Sequence, residues 1–301
     1  MQVKRLKVVV DGLLLIDKPL GLSSNQALSK IKFLFSPKKV GHTGTLDPMA
    51  TGLLPICLGE ATKFSSYLLN ADKTYVGLIR LGYKSSTGDK EGEIIKQEFD
   101  KIPSKSEVKR ILKNFIGPID QLPPMFSALK HKGKPLYLYA REGINIPRPK
   151  RKIVIHEIEL LDYQGDELRL KIKCSKGTYI RTLAEDIGDK LNVGAYLLEL
   201  NRTGIGSLSI DSAVKIEQIE EIKEQERVKL LLPVDELLSS FQKLILNCND
   251  TTAIKDGKII DQSGKTPGFY RLYEVKDEFI GLGEIDKIGK LKAKRLISLK
   301  N

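Results

Sequence analysis

A chain of 301 residues, 41% hydrophobic and 29% charged, is long enough to bury a sizeable core as one large domain or a large domain with a small appendage. A net charge of +12 and a pI of about 9.4 suit a polyanionic partner, because neutralising phosphates releases condensed counterions; a general lysine bias gives the same number with no partner. Three scattered cysteines without a CxxC pair exclude a disulfide framework and a zinc site, three histidines off ligand spacing leave no metal centre, and no apolar run is long enough to span a bilayer.

The N-terminal stretch MQVKRLKVVVDGLLLID places basic residues before apolar ones, as a signal peptide does. Asp11 and Gly12 break the apolar run, however, and no small-residue cleavage site follows, so a cytoplasmic protein is expected. Leu13 to Ile16 read as a buried strand and Lys18-Pro19 as a turn. A helix follows, capped by Ser23 or Ser24, with Ala27, Leu28, Ile31, Leu34 and Phe35 as its apolar stripe. After a glycine-punctuated loop from Gly41 to Pro55, TYVGLIRLGY has strand character, and the polar turn KSSTGDKEGEI leads to another strand. The clearest helix is SKSEVKRILKNFIGP: Ser104 and Glu107 have capping-box spacing, Val108, Ile111, Leu112 and Phe115 line one face, and Gly117-Pro118 is predicted to end it.

From about 123 to 152 the chain is rich in proline, lysine, arginine and tyrosine with little core periodicity. This predicts either a surface insertion carrying basic and aromatic groups together or a merely solvated loop. ELRLKIK then alternates strictly, Leu168, Leu170 and Ile172 against Arg169, Lys171 and Lys173. It runs into a helix that Thr178 is predicted to cap, with Ile180, Leu183, Ala184, Ile187 and Leu191 buried. IEQIEEIKEQERVKLLLPVDELL reads as one acidic helix closing a main domain, 1–240. The remainder, 241–301, shows short strand patterns, GFYRLYEV and EFIGLGEI, and predicts a small β-rich tail with a basic edge. Strands and helices intermix without regular βαβ alternation, which places the fold in the α+β class.

No GxGxxG fingerprint and no GxSxG elbow occur. SGKTP at 263–267 lacks the first glycine and the following helix of a phosphate loop, so no nucleotide or flavin cofactor is implied. What remains is GHTGTLDPMATGLLP, where Asp47 is the lone acid. Asp before Pro is a familiar helix entrance, N-cap followed by first helical position. The other reading is a reactive carboxylate kept clear of competing charge. Glycosidic hydrolysis normally takes two carboxylates. A reaction at a glycosidic carbon that uses no water manages with one, given a cation to keep it ionised, a flat platform for the base and a way to unstack it. Tyr75, Tyr179 and Arg181 are candidates for those roles. A surface pairing of Arg181 with Glu185 one turn on is the plainer alternative.

The run GHTGTLDPMATGLLPICLGEATKF, DKTYVGLIRLG, PPMFSALKHKGKPLYLYAREG and CSKGTYIRTLAEDIG closely resembles the TruB family of bacterial tRNA pseudouridine synthases, in order and spacing, from about Gly12 to Leu200. It extends into the tail through FIGLGEI. The resemblance implies a pseudouridine-synthase fold: a mixed, mainly antiparallel sheet flanked by helices, with a thumb-like basic insertion and a PUA-type C-terminal domain. It implies isomerisation of the T-loop uridine at position 55 of tRNA to pseudouridine on a flipped-out nucleotide, by C1′–N1 cleavage, base rotation and C1′–C5 rejoining. No metal or cofactor takes part, and a monomer is expected. The family's catalytic aspartate falls on Asp47 and its arginine partner on Arg181. The stacking aromatic falls on Tyr75, and substrate contacts fall on His42, Tyr179 and Leu200. Lys18-Pro19 matches an early motif that supports the pocket. The insertion, with Arg148, Lys150, Arg151 and Lys152, is expected to close on the T-arm. A non-catalytic tRNA-binding or tRNA-folding protein, and a synthase for another RNA, are the alternatives.

Overall fold

The computed structural model describes residues 7–298. Its main feature is a ten-stranded mixed sheet. Along the sheet run Val214–Lys215, Gly12–Lys18, Ala50–Leu58, Ala195–Ile205, Lys73–Leu81, Glu167–Cys174, Arg151–Gln164 and Gly117–Gln121, with Val40–His42 paired on Ala50–Leu58 and Leu208–Ser209 on Ala195–Ile205. Only Gly12–Lys18 with Val214–Lys215, and Ala50–Leu58 with Ala195–Ile205, pair in parallel; the other pairings are antiparallel.

The Leu13–Ile16 run is apolar at every position because both sides of the sheet are covered there. Leu14 and Ile16 enter a core with the Ser24–Phe35 helix, through Ala27, Ile31 and Leu34. Leu13 and Leu15 enter a second core with Leu53, Cys57, Phe64 and Leu282. Leu282 belongs to a five-stranded C-terminal sheet, ordered Gln242–Ile245, Gly268–Tyr273, Phe279–Ile285, Lys290–Leu296, Ile260–Asp261, which packs its own core around Leu244, Ile254, Leu272 and Leu291. Phe64 meets Phe279 edge-on at 5.7 Å between ring centroids, and Lys63 Nζ donates to the Leu296 carbonyl at 3.1 Å, so the two sheets are joined by packing as well as by chain.

Local chemistry explains the helix starts. Ser23 accepts from the Gln26 amide while Gln26 Oε1 accepts from the Ser23 amide, and Ser104 and Glu107 form the same reciprocal box at Lys105–Lys113. Three expectations are corrected. Gly117-Pro118 do not end that helix, which is capped at Asn114; they open the edge strand Gly117–Gln121. Thr178 does not cap Ile180–Lys190: its hydroxyl donates to the Ser175 carbonyl at 2.9 Å and the chain enters the helix through extended Tyr179. The acidic segment is not one helix. Ile216–Glu221 gives way to short 3-10 turns at Glu224–Leu230 and Val234–Leu238, because Leu232 is drawn out to exchange two backbone hydrogen bonds with Leu13.

No helix among the described residues is long and apolar enough to cross a membrane. Because Phe64 sits where the two sheets share a core, Phe64→Ala is expected to lower unfolding stability by about 3–5 kcal/mol. A loss below about 1 kcal/mol in urea titrations would mean the C-terminal sheet does not bear on the main one.

Candidate active site

Strand register assembles the site. Leu200 lies opposite Ala50 on one side and Gly77 on the other, and Arg202 lies between Gly52 and Tyr75. Residues two apart share a sheet face, so Leu200 and Arg202 face the same way. Parallel strands come close here: a Cβ on Gly52, at φ +105°, would sit 2.4 Å from the Arg202 carbonyl oxygen, so this position requires glycine.

Asp47 lies three residues upstream of Ala50, in neither a helix nor a cap. The Ala50 amide donates to the Asp47 carbonyl at 3.1 Å, closing a turn in which Pro48 supplies the fixed φ. This overturns the helix-entrance reading. The turn is held on both flanks: Ser24 Oγ accepts from the Leu46 amide at 2.8 Å and donates to the Leu46 carbonyl at 3.0 Å, and the Gly21 amide donates to the Pro48 carbonyl at 2.9 Å.

Arg181, in the first turn of Ile180–Lys190, is 5% exposed at its side chain and is not a surface partner of Glu185. Its Nη2 lies 2.9 Å from Asp47 Oδ2 and also donates to the Phe126 carbonyl at 2.7 Å, while Nη1 donates to the Thr87 carbonyl at 3.0 Å. Its Nε is 3.5 Å from Asp89 Oδ2. The Asp89 carboxylate is buried and accepts from Thr87 Oγ1 at 2.6 Å and the Glu91 amide at 3.0 Å. The guanidinium is thus fixed by two carboxylates and two carbonyls. The Asp47 side chain is 39% exposed and opens into the cavity. Burial pushes its carboxyl above the usual value, and the Arg181 charge pulls it back. An ionised carboxylate so placed is more basic and nucleophilic than one in water, and the always-protonated guanidinium favours its charged form.

The cavity, about 350 Å³, is lined by Asp47, Lys73, Tyr75, Tyr179, Leu200 and Arg202, among others. That volume falls within the range of small-molecule sites. Burial raises the Tyr75 hydroxyl and, helped by a hydrogen bond, Arg202 opposes that rise. Arg202 is fully enclosed, with Nε donating to the Leu53 carbonyl at 2.9 Å and Nη2 to the Gly44 carbonyl at 3.1 Å. Lys18 and Lys73 are buried lysines, each depressed to about 8 chiefly by desolvation. Lys18 Nζ is tied to the Pro19 and Leu22 carbonyls, and Lys73 Nζ to those of Leu69 and Ala71.

Of the residues singled out from sequence, Asp47, Arg181, Tyr75, Tyr179 and Leu200 come together at this cavity. His42 does not line it. It ends the strand Val40–His42 with Nδ1 buried and without a hydrogen-bond partner among the described residues, its pKa lowered by burial and by Arg202. The insertion leaves the sheet at Gln121 and returns at Arg151, which pair directly, and Ser127, Ala128 and Leu129 line the cavity. Arg148 faces inward, its Nε donating to the Pro123 carbonyl at 2.6 Å and its Nη1 to Asn145 Oδ1 and the Ile146 carbonyl. Lys150, Arg151 and Lys152 are exposed; Lys150 lies near Asp186, and Arg151 and Lys152 begin the Arg151–Gln164 strand. Sequence reasoning missed Asp89 and Arg202. Nothing marks Asp89 within the polar GDKEG turn, whereas two-residue alternation from Leu200 could have pointed to Arg202.

Among the described residues Asp47 is the carboxylate on this cavity; Asp89 borders the adjoining one and is already engaged by Arg181 and two hydrogen-bond donors, which leaves it less free than Asp47 to act as the second carboxylate that glycosidic hydrolysis uses. A chain in the structure described as an H/ACA RNP bound to a substrate RNA containing 2′-deoxyuridine has the same fold, matched over 96% of the present chain and 86% of that one (TM-score 0.72, 23% identity). The fold is that of a pseudouridine synthase, an isomerase acting on RNA.

More closely, the chain belongs to the TruB family of pseudouridylate synthases: the family's N-terminal domain matches residues 32–180, its tRNA pseudouridylate synthase B C-terminal domain 181–239, and its pseudouridine synthase II C-terminal domain 243–297. It is 48% identical over 298 residues to the tRNA pseudouridine synthase B of Methylobacillus flagellatus, covering 99% of this chain and 98% of the relative. It is 47% identical over 300 residues to that of Nitrosospira multiformis, covering 96% of each.

The buried Lys18 ammonium makes stability depend on pH. The unfolded chain keeps that proton up to 10.5, whereas the folded chain sheds it near 8. The burial penalty is therefore fully present below pH 8, and stability rises with pH across that window, by on the order of 3 kcal/mol at full extent. Compared with Lys18→Met in denaturant titrations at pH 7.5 and pH 10, the wild type should gain relative stability at the higher pH. A constant difference would contradict the assigned depression.

Proposed function

We propose that this protein isomerises the T-loop uridine at position 55 of tRNA to pseudouridine, with Asp47 as the catalytic carboxylate. The observation that carries this is the 2.9 Å pairing of Asp47 with buried Arg181 on a cavity also lined by Tyr75 and Leu200. Relatives named tRNA pseudouridine synthase B, aligned over nearly the whole chain, support tRNA as the substrate.

A uridine swung out of the T-loop enters the cavity with its ring against Tyr75 and Leu200, where the tyrosine face replaces the stacking lost on extrusion. Asp47, held charged by Arg181, acts on the nucleotide. The C1′–N1 bond breaks, the uracil turns within the pocket, C1′ bonds to C5, and the C5 proton is lost as N1 gains one, so no atom enters or leaves overall. Tyr179 and the Ser127–Leu129 wall line the cavity, and with RNA bound across its mouth they are placed to keep water from the sugar. His42 supports the pocket from behind, beside Arg202. The exposed Lys150, Arg151 and Lys152 meet T-arm phosphates, and recognition of folded RNA rests on shape and backbone contacts. Arg148 shapes the insertion that presents them. One chain carries every group named, so a monomer suffices for the proposed chemistry; the proposed protein is cytoplasmic, with a catalytic domain over 1–240 and an RNA-binding PUA-like domain over 241–301.

Asp47→Asn is expected to abolish pseudouridine formation on unmodified tRNA transcript while leaving tRNA affinity within about threefold, because it removes the charge and keeps the shape. Near wild-type turnover by this variant would remove Asp47 from the chemistry. Burial raises the Asp47 carboxyl, so the acid limb of the rate profile should lie above the ordinary carboxylate range, with activity lost as pH falls through it. For the insertion, neutralising Lys150, Arg151 and Lys152 together should reduce the log–log salt slope of tRNA binding by roughly 2 to 3. An unchanged slope would mean that these residues do not touch phosphate.

A further inference from the structure

We infer that Ser24 and Gln121 are positioning residues that set the geometry of the Asp47–Arg181 pair by gripping the backbone immediately upstream of each. The inference rests on the proposed role of Asp47.

Asp47 follows a loop and Arg181 opens a helix, so neither is preceded by regular pairing that would fix its backbone. Buried peptide groups in such places still need partners. At both places one buried side chain satisfies the N–H and the C=O of the same residue. Ser24 Oγ accepts from the Leu46 amide at 2.8 Å and donates to the Leu46 carbonyl at 3.0 Å, a pairing that uses the hydroxyl as donor and acceptor at once. Gln121 Oε1 accepts from the Tyr179 amide at 2.8 Å, and its Nε2 donates to the Tyr179 carbonyl at 3.0 Å. Both gripping residues are 2% exposed. Leu46 is one residue before Asp47, and Tyr179 is two before Arg181. The Gly21 amide closes the other flank of Asp47 through Pro48, so the segment 21–24 brackets the carboxylate on both sides.

Each grip starts from an element anchored elsewhere. Ser24 is the first residue of the Ser24–Phe35 helix, whose cap is supplied separately by Ser23. Gln121 ends the edge strand Gly117–Gln121 and pairs with Arg151, where the insertion departs and returns. The pair's geometry is therefore referred to the helix on one side and to the root of the insertion on the other. A misplacement of about 1 Å at a reacting group is enough to cost on the order of a hundredfold in rate.

The test is single-turnover pseudouridine formation with saturating enzyme, together with tRNA affinity and the pH profile, for Ser24→Ala, Ser24→Cys and Gln121→Met. Ser24→Cys keeps a group that can donate and accept but, with a longer bond and a larger atom, weakens both hydrogen bonds, so it reports on the grip even if the alanine variant folds poorly. The expected result for each is a rate at least about tenfold lower, affinity unchanged within about twofold, and an acid limb moved to higher pH. That shift follows because a carboxyl less firmly held against Arg181 loses the charge that lowers its pKa. Ser104→Ala, which strips the capping box of the Lys105–Lys113 helix away from the cavity and leaves both grips, should lower stability without slowing the reaction. Loss of stability alone in the Ser24 and Gln121 variants, or equal slowing by Ser104→Ala, would overturn the inference. Asp47→Asn run in parallel separates the two claims: if it is dead while the grip variants react normally, only this inference fails, and if it is active, the role of Asp47 fails first.

Discussion

The site depends on one electrostatic arrangement: a carboxylate at a cavity wall paired with a guanidinium that has almost no contact with solvent. Leaving a buried arginine unpaired is costly, and this one is paired on every side, with Asp47, Asp89 and the carbonyls of Thr87 and Phe126 around its donors. Arg181 is thereby a fixed reference charge, and Asp47 is the one of its partners that also faces the cavity. Burial raises the affinity of Asp47 for a proton and the Arg181 charge opposes it, so the guanidinium is the group that favours the ionised form.

The sheet places this pair. A parallel pairing of Ala50–Leu58 with Ala195–Ile205 inside a mainly antiparallel sheet brings the end of the Asp47 turn beside Leu200, and the next strand sets Tyr75 opposite Arg202. Register shifts in Ala195–Ile205 fall between Leu197 and Glu199 and between Arg202 and Gly204, on either side of those residues, as irregularities near active sites often do. The C-terminal sheet covers the opposite face, through Leu13, Leu15 and Phe64, and so backs the strands that carry the site.

Much of this was legible where the signal is local. The helix start at Ser23 or Ser24, the capping box at Ser104, the strict alternation of 168–173 and the buried apolar run at 13–16 each follow from a few consecutive residues, whereas the reciprocal box of Ser23 with Gln26 showed only in the structure. The resemblance of long ordered motifs carried the family, and it singled out the residues that meet at the cavity. What sequence could not show is chemistry closed over distance. Ser24 and Leu46 are 22 residues apart, Gln121 and Tyr179 are 58 apart, and Asp89 lies in a turn whose composition predicts only solvent. Leu231-Leu232 read as helix because their apolar character fits either state; the unpaired end of the Gly12–Lys18 strand decides it.

The central claim is most directly tested by following the Asp47 carboxyl carbon by NMR as a function of pH, in the wild type and in Arg181→Met. The account predicts a midpoint above that of a solvent-exposed aspartate in the wild type and a further rise when the guanidinium is removed. A carboxyl that titrates like an exposed one and does not respond to loss of Arg181 would contradict it.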